Sequence, residues 1–223
     1  MSAYRFAATV LIKFAVLGAL AIAAARADTV SAAAHSIAVS LAGLMFTAAV
    51  AIGQAIIPLM APYLKVKDVR GMRAAVRAGV TTALGAAVLL GVALAVLRMP
   101  VLSFFTHDPD VRHTLMALLP LVLLVALTDA LQAVFGFGLV AMRNTVPSLL
   151  AFAVCYGLLT LAAAPLSAQG GLRALWFALL AANTLLAIAQ ASFFHQRSGR
   201  LADPPARPEM DAPDVTAPRN VGP

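Results

Sequence analysis

Six long apolar segments dominate the sequence and restrict it to a fold whose elements cross a membrane. They cover residues 6–25, 34–63, 72–97, 111–141, 147–166 and 172–195. Each holds about 20 residues or more, which is enough for an α-helix to span about 30 Å of hydrocarbon. The runs are continuous and rich in Ala and Leu, whereas strands of a membrane barrel alternate apolar and polar residues, so we predict helices.

The composition supports this interpretation, because 62% of the residues are hydrophobic and only 11% are charged. Soluble domains are about 45–50% apolar and about 25% charged. The net charge of +7 does not indicate a nucleic-acid partner. Its Lys and Arg residues lie in loops between apolar segments, not on a face with interleaved aromatics. We therefore predict an all-α polytopic membrane protein in contact with a lipid bilayer, and no binding of nucleic acid.

The composition changes near the C-terminus, which divides the chain into two parts. Residues 1–197 contain all the apolar segments and form one predicted transmembrane lobe. Residues 198–223 are rich in Pro, Asp and Arg, and cannot bury a core. We predict that they form a disordered cytoplasmic tail.

Basic residues between the segments predict the orientation of the bundle. With the N-terminus in the cytoplasm, ten Lys or Arg residues fall inside and four outside. This distribution favours a multi-pass protein of the plasma (inner) membrane with both termini cytoplasmic. An alternative remains for the first segment, because Ala25-Arg26-Ala27 matches a signal-peptide cleavage site, and cleavage there would leave five spans.

Asp129 is the only formally charged residue between Arg112 and Arg143, and it falls near the middle of the fourth segment. An acid at that depth costs roughly 2.5–3.5 kcal/mol on insertion scales, so it is rarely present without a use. Burial favours the neutral form of a carboxyl unless a cation or strong donors compensate. Such a group can exchange a proton, or trade it for Na⁺ or an organic cation. The alternative is a protonated Asp that only hydrogen-bonds a neighbouring helix.

Other polar residues inside the segments are candidates for the lining of a cavity. Gln132 follows Asp129 by three residues and therefore shares its helix face. Lys13 in the first segment either extends to the membrane interface or pairs with Asp129. Further polar groups on other segments, which line a cavity or only hydrogen-bond between helices, are Gln54, Tyr156 and Asn183.

The sequence contains no His/Cys cluster with metal-ligand spacing, no phosphate-binding glycine loop and no nucleophile elbow. A membrane-embedded enzyme would need a cluster of His, Asp or Ser at one membrane face. The nearest approach is the group His107, Asp108, Asp110 and His113. Because Asp108 before Pro109 predicts a capped helix start, the acids have a structural explanation. We therefore predict no enzyme activity, no metal and no cofactor.

Four short motifs resemble those of multidrug and toxic compound extrusion (MATE) transporters. Residues 33–37, AAHSI, resemble the AAHQI that opens the eighth helix of that family, and residues 53–55, GQA, match a later part of it. Residues 105–111, FTHDPDV, resemble FTDDPEV before the tenth helix. Residues 129–132, DALQ, resemble the DALQ or DAVQ of the tenth helix. The chain is thus similar to the C-terminal half of the family, its last six helices.

The resemblance implies a function. MATE transporters have two pseudo-symmetric lobes of six helices. They expel cationic or amphipathic organic compounds by alternating access, in exchange for inward H⁺ or Na⁺. Asp129 falls on the family's tenth-helix coupling acid, with Gln132 and Gln54 expected in the cavity. Lys13 falls near the position of a seventh-helix Glu that many members carry. A Lys there disfavours Na⁺ and leaves proton coupling, or loss of coupling, as the expectation.

The resemblance also implies a partner, since alternating access requires two lobes around one site. We expect an N-terminal six-helix lobe, either a separate chain or a missing segment, or else a second copy of this chain. The alternative is a truncated or non-transporting half-transporter that acts only as an assembly subunit.

Overall fold

The computed structural model describes residues 2–201, except for the side chains of residues 2–7 and 10. Within this range every regular element is an α-helix. The elements are α1 (Ser2–Ala27), α2 (Thr29–Lys65), α3 (Val69–Val96), α4 (Arg98–Phe105), α5 (Pro109–Ala141) and α6 (Val146–Arg200). The predicted all-α class is confirmed. Of the described helices, α2, α3, α5 and α6 are long and apolar enough to cross a membrane.

Helix α6 consists of two segments that fold back on each other. Gly171 has φ 59° and ψ −153°, a conformation that only glycine adopts readily, and it separates residues 146–170 from residues 172–200. Two hydrogen bonds connect the segments, Tyr156 to Asn183 and Gln190 to Ser148. Because both pairs lie almost symmetrically about Gly171, the segments run antiparallel. The sequence places its fifth and sixth segments on either side of this turn.

Aspartates at the helix starts explain why helices begin before the apolar segments do. Free N–H groups of the first turn need acceptors, and each aspartate supplies one. The Oδ1 atoms accept from Ser31 N at 2.6 Å for Asp28, from Gly71 N at 3.0 Å for Asp68 and from Asp110 N at 2.8 Å for Asp108. Ser31 donates to the Asp28 carboxyl from its backbone N and also from its hydroxyl, and these two bonds hold the pKa of that carboxyl below its ordinary value. The capped start predicted at Asp108 and Pro109 is present.

The short helix α4 has no counterpart among the six apolar segments of the sequence. Pro100 lies in its first turn, where a missing backbone donor costs nothing. The side chain of Leu102 is fully buried and anchors α4 against the end of the bundle. One buried side chain in eight residues gives too weak a periodic pattern to predict such a helix.

Buried apolar residues form two clusters, one toward each end of the bundle. The first joins α1, α4 and parts of α2, α5 and α6, and its α5 members end at Val125. The second joins α3 to the remaining part of α2, α5 and α6, and its α5 members begin at Ala130. Asp129 lies between these limits. This acid therefore sits at the junction of the two clusters.

The C-terminal end of α6 is held by α3. Arg73 donates from Nε to Ser198 Oγ at 3.1 Å and from Nη2 to the carbonyl oxygen of His195 at 3.3 Å. These two bonds connect the last turns of α6 to the beginning of α3. The helix continues through Arg200, beyond the predicted lobe limit at residue 197. Residues 202–223, most of the predicted tail, lie outside the described range.

We expect Gly171→Ala to destabilise the lobe by about 1–3 kcal/mol, because a Cβ makes the backbone conformation at this turn strained. Gly85→Ala is the matched control, since Gly85 has helical dihedral angles and open space where its Cβ would stand. Thermal unfolding of both variants in detergent, followed by size-exclusion chromatography, measures the difference. Equal midpoints would contradict the assignment of Gly171 as the required turn residue.

Candidate functional site

The carboxylate of Asp129 is the centre of a polar cluster inside the bundle. Helix α5 carries it at a position where the residue is only 3% exposed. Its Oδ1 atom accepts two hydrogen bonds, from Lys13 Nζ at 2.7 Å and from Asn183 Nδ2 at 2.8 Å. One donor comes from α1 and the other from the second segment of α6. The acid is thus compensated by a cation and an amide from two different helices.

Lys13 extends toward α5 and not to the end of the bundle, which decides between the two interpretations of this residue. Its side chain is 12% exposed, and its ammonium forms the ion pair with Asp129. The same Nζ atom lies 3.7 Å from the centroid of the Phe46 ring on α2. An ammonium over an aromatic face is attracted by the negative face of the ring. Three helices therefore meet around one positive charge.

Asn183 links the acid to a second buried donor. Its Oδ1 atom accepts the hydroxyl proton of Tyr156 at 2.7 Å, while its Nδ2 atom donates to Asp129. Its backbone oxygen also accepts from Gln132 Nε2 at 3.4 Å. Since a carboxylate can only accept, the Asn183 amide is oriented with its nitrogen toward Asp129, which leaves its Oδ1 atom to accept from the tyrosine hydroxyl. All four polar residues are buried.

A cavity of about 530 Å³ borders this cluster and lies between α1, α2, α5 and α6. Ligand sites of drug-sized molecules occupy about 300–1,000 Å³. Its walls are largely apolar and aromatic, with Phe14, Phe46, Phe137, Phe152 and Trp176 among them. Among the described residues that line it, only Lys13 and Asp129 carry a charge. The wall is therefore apolar and electrically neutral overall while the ion pair is formed.

The structure places the residues selected from the sequence at three kinds of position. Lys13, Asp129, Gln132 and Asn183 all line the cavity and lie in one cluster. Gln54 lines the cavity from α2 on a separate part of the wall. Tyr156 is completely buried behind the wall and is connected to the cavity through Asn183.

A second polar group on the cavity wall has no counterpart in the sequence analysis. Gln190 donates from Nε2 to Ser148 Oγ at 2.9 Å, and both residues are buried and line the cavity. Gln190 follows Asn183 by seven residues, two helical turns along the same face. That spacing is the signal by which Gln190 could have been found. No such signal marks Phe46, because phenylalanine in an apolar helix most often faces lipid or core.

No group of three or more His, Cys, Asp or Glu residues within the described range is placed to hold a metal ion. The carboxylate of Asp108 accepts two backbone N–H bonds at the start of α5. Asp108 and Asp110 therefore belong to the N-terminus of α5, where Asp108 caps the helix and Asp110 lies in its first turn.

Comparison with known proteins gives the family. The family model MatE matches residues 6–166. The chain belongs to the MatE family. Over 137 residues it is 30% identical to "Probable multidrug resistance protein NorM" of Aromatoleum aromaticum (strain DSM 19018 / LMG 30748 / EbN1), a match that covers 61% of this chain and 30% of that protein. The resemblance seen in the four motifs is confirmed, and members of the MatE family are membrane transporters.

A solved structure shows the same fold. The crystal structure of the eukaryotic MATE transporter AtDTX14 superimposes with a TM-score of 0.66 at 16% identity, covering 77% of this chain and 40% of that one. This MatE chain thus spans less than half of the length of each of these two proteins. The superposition agrees with the predicted six-helix bundle that resembles one lobe of a MATE transporter.

We expect Tyr156→Phe to destabilise this MatE chain by about 1–3 kcal/mol, because it leaves the buried Asn183 Oδ1 atom without its donor. Tyr63→Phe is the matched control, since Tyr63 is exposed at the end of α2. The midpoint of thermal unfolding in detergent measures both changes. A shift as small as that of the control would show that the Tyr156 bond does not stabilise the cluster.

Proposed function

We propose that this chain is the C-terminal lobe of a secondary active transporter that expels cationic or amphipathic organic compounds in exchange for H⁺ or Na⁺. Membership of the MatE family supports efflux transport, and the name of the NorM relative points to drug-like substrates. The observation that carries the finer proposal is the ionised cluster around Asp129 on the wall of a mainly apolar cavity. It combines a cation-binding group with a surface for an apolar molecule.

The exchange of a proton for an organic cation follows from which positive charge accompanies the Asp129 carboxylate. A carboxylate buried without a partner is unfavourable, so a cation or a proton has to accompany it. In the structure the Lys13 ammonium provides that charge. An incoming organic cation would have to displace the ammonium, and a proton on Asp129 would remove the attraction for both. Proton binding and cation binding are therefore mutually exclusive at this group, which is the requirement for antiport.

Alternating access needs a second wall for the cavity, because a carrier opens its site to each side of the membrane in turn. We propose that an N-terminal six-helix lobe, or a second copy of this chain, supplies that wall. The comparisons support this, since the chain matches only 30% and 40% of the lengths of the two relatives. We further propose a plasma (inner) membrane location with both termini cytoplasmic. The ends of α2 and α6 and the start of α3, which are rich in Lys and Arg, support this orientation.

We expect Asp129→Asn to abolish coupled efflux of a fluorescent organic cation. The neutral amide can neither hold the cation nor exchange a proton. The measurement uses everted membrane vesicles that contain the chain together with its partner lobe. It records dye efflux and the collapse of an imposed pH gradient on addition of substrate.

Asp110→Asn is the matched control, since it makes the same change at an exposed position in the first turn of α5. Equal amounts of protein in the membrane, measured by immunoblot, are required for the comparison. Coupled efflux that stays at the level of this control would refute the role proposed for Asp129.

The second candidate is a half-transporter that serves only as an assembly subunit, which the partial match to both relatives also favours. The two proposals predict different results for purified chain in lipid nanodiscs. The transporter lobe binds an organic cation such as tetraphenylphosphonium, and Asp129→Asn weakens that binding. The assembly subunit binds no cation, with or without the substitution.

A further inference from the structure

The ammonium of Lys13 occupies a site that has the chemistry of a receptor for an organic cation. It has a carboxylate oxygen at 2.7 Å on one side and the face of Phe46 at 3.7 Å on the other. Carboxylate and aromatic face together are the environment in which proteins bind alkylammonium groups. The occupant in this structure is the protein's own side chain, joined to α1 by a four-carbon stem.

We propose that Lys13 is a built-in competitor at Asp129 that excludes Na⁺ and leaves H⁺ as the coupling ion. The inference rests on the proposed function, in which Asp129 is the coupling group. It adds the residue that determines ion specificity. The role depends on a lysine at this position of α1.

Charge is the first reason for the exclusion. Among the described residues that line the cavity, Asp129 is the only anion and Lys13 is the only cation. A sodium ion at Asp129 would therefore share one negative charge with an ammonium already bound at 2.7 Å. Like charges placed together in a buried site repel strongly, and specificity often comes from such a repulsive element. A proton differs, because it neutralises the carboxylate and lets the ammonium move away.

The shape of the site is the second reason. Sodium gives up its water only for a shell of several oxygen ligands, as in ion-selective sites built from carbonyl groups. Here the partners of the Asp129 Oδ1 atom are both nitrogen donors, the Lys13 ammonium and the Asn183 amide. The Asn183 oxygen is already occupied by the Tyr156 hydroxyl. The ring of Phe46, whose centroid lies 3.7 Å from the ammonium, suits an ammonium better than a metal ion.

The burial of the pair explains how the competitor is held in place. The Lys13 side chain is 12% exposed and that of Asp129 only 4%. Water screens such a pair much less than a surface pair. Since the stem connects the ammonium to α1, its effective concentration at Asp129 is set by the fold and is high. Free Na⁺ at ordinary concentrations has to compete against this tethered charge.

The test measures binding of ²²Na⁺ to the purified full chain in nanodiscs by scintillation proximity. Wild-type protein and Lys13→Arg should show no saturable binding. Lys13→Ala should gain saturable Na⁺ binding under the same conditions, because the competing charge is gone. The double variant Lys13→Ala/Asp129→Asn should lose that binding, which assigns it to Asp129.

Chemical rescue separates competition from a merely structural role of Lys13. n-Propylammonium, which replaces most of the missing side chain, should suppress Na⁺ binding to Lys13→Ala in a saturable way. n-Propanol has the same shape without the charge and should have no effect. Suppression by both compounds, or by neither, would overturn the proposal. Suppression of Na⁺ binding can be measured even if Lys13→Ala is partly destabilised, because propylammonium restores the lost contact with Asp129.

Two further results would overturn it. One is saturable Na⁺ binding to wild-type protein that Asp129→Asn removes, and the other is no gain of binding in a folded Lys13→Ala variant. Both outcomes are independent of efflux. A chain that excludes Na⁺ through Lys13 but supports no drug efflux would refute the proposed function and leave the exclusion of Na⁺ by Lys13 intact. Normal drug efflux together with saturable Na⁺ binding to wild-type protein would refute this inference and leave the proposed function intact.

Discussion

The ion pair between Lys13 and Asp129 is the interaction on which the arrangement of the bundle depends. An unpaired charge at this depth costs several kcal/mol, and removal of one partner of a buried pair typically costs about 3–5 kcal/mol. The fold meets this requirement by bringing α1 and the second segment of α6 to the same oxygen of Asp129. The positions of three helices are thereby connected to one carboxylate. The apolar clusters above and below it supply the bulk of the burial.

Hydrogen bonds connect the ion pair to further residues of the bundle. Asn183 uses its amide nitrogen for Asp129 and its amide oxygen for Tyr156, so one side chain fixes the register of both segments of α6. The turn at Gly171 makes that register possible, because a regular helix there would carry Asn183 away from α5. The network therefore depends on two features together, which are the ion pair between Lys13 and Asp129 and the backbone turn at Gly171.

The sequence was sufficient to predict the helical class and the capped start at Asp108, and it singled out Asp129, which lies at the centre of the buried polar cluster. These features follow from local physics: apolar runs of bilayer length, an aspartate before a proline, and one acid inside hydrocarbon. It also offered the Lys13–Asp129 pair as one of two alternatives for Lys13. The choice between them needed the distance across the bundle, which no local pattern contains. The same holds for Phe46, whose role arises from packing between helices that are distant in the chain.

The separation of the buried apolar residues into two clusters has a consequence for how this lobe comes apart. Cooperative units of a protein follow contiguous packing, and local opening removes one unit at a time. Here the packing is interrupted along α5 between Val125 and Ala130. The end that contains α3 and the end that contains α1 and α4 thus form separate units. Opening of either unit would begin at a layer of polar contacts, where water can replace the lost hydrogen bonds, and would leave the opposite end folded.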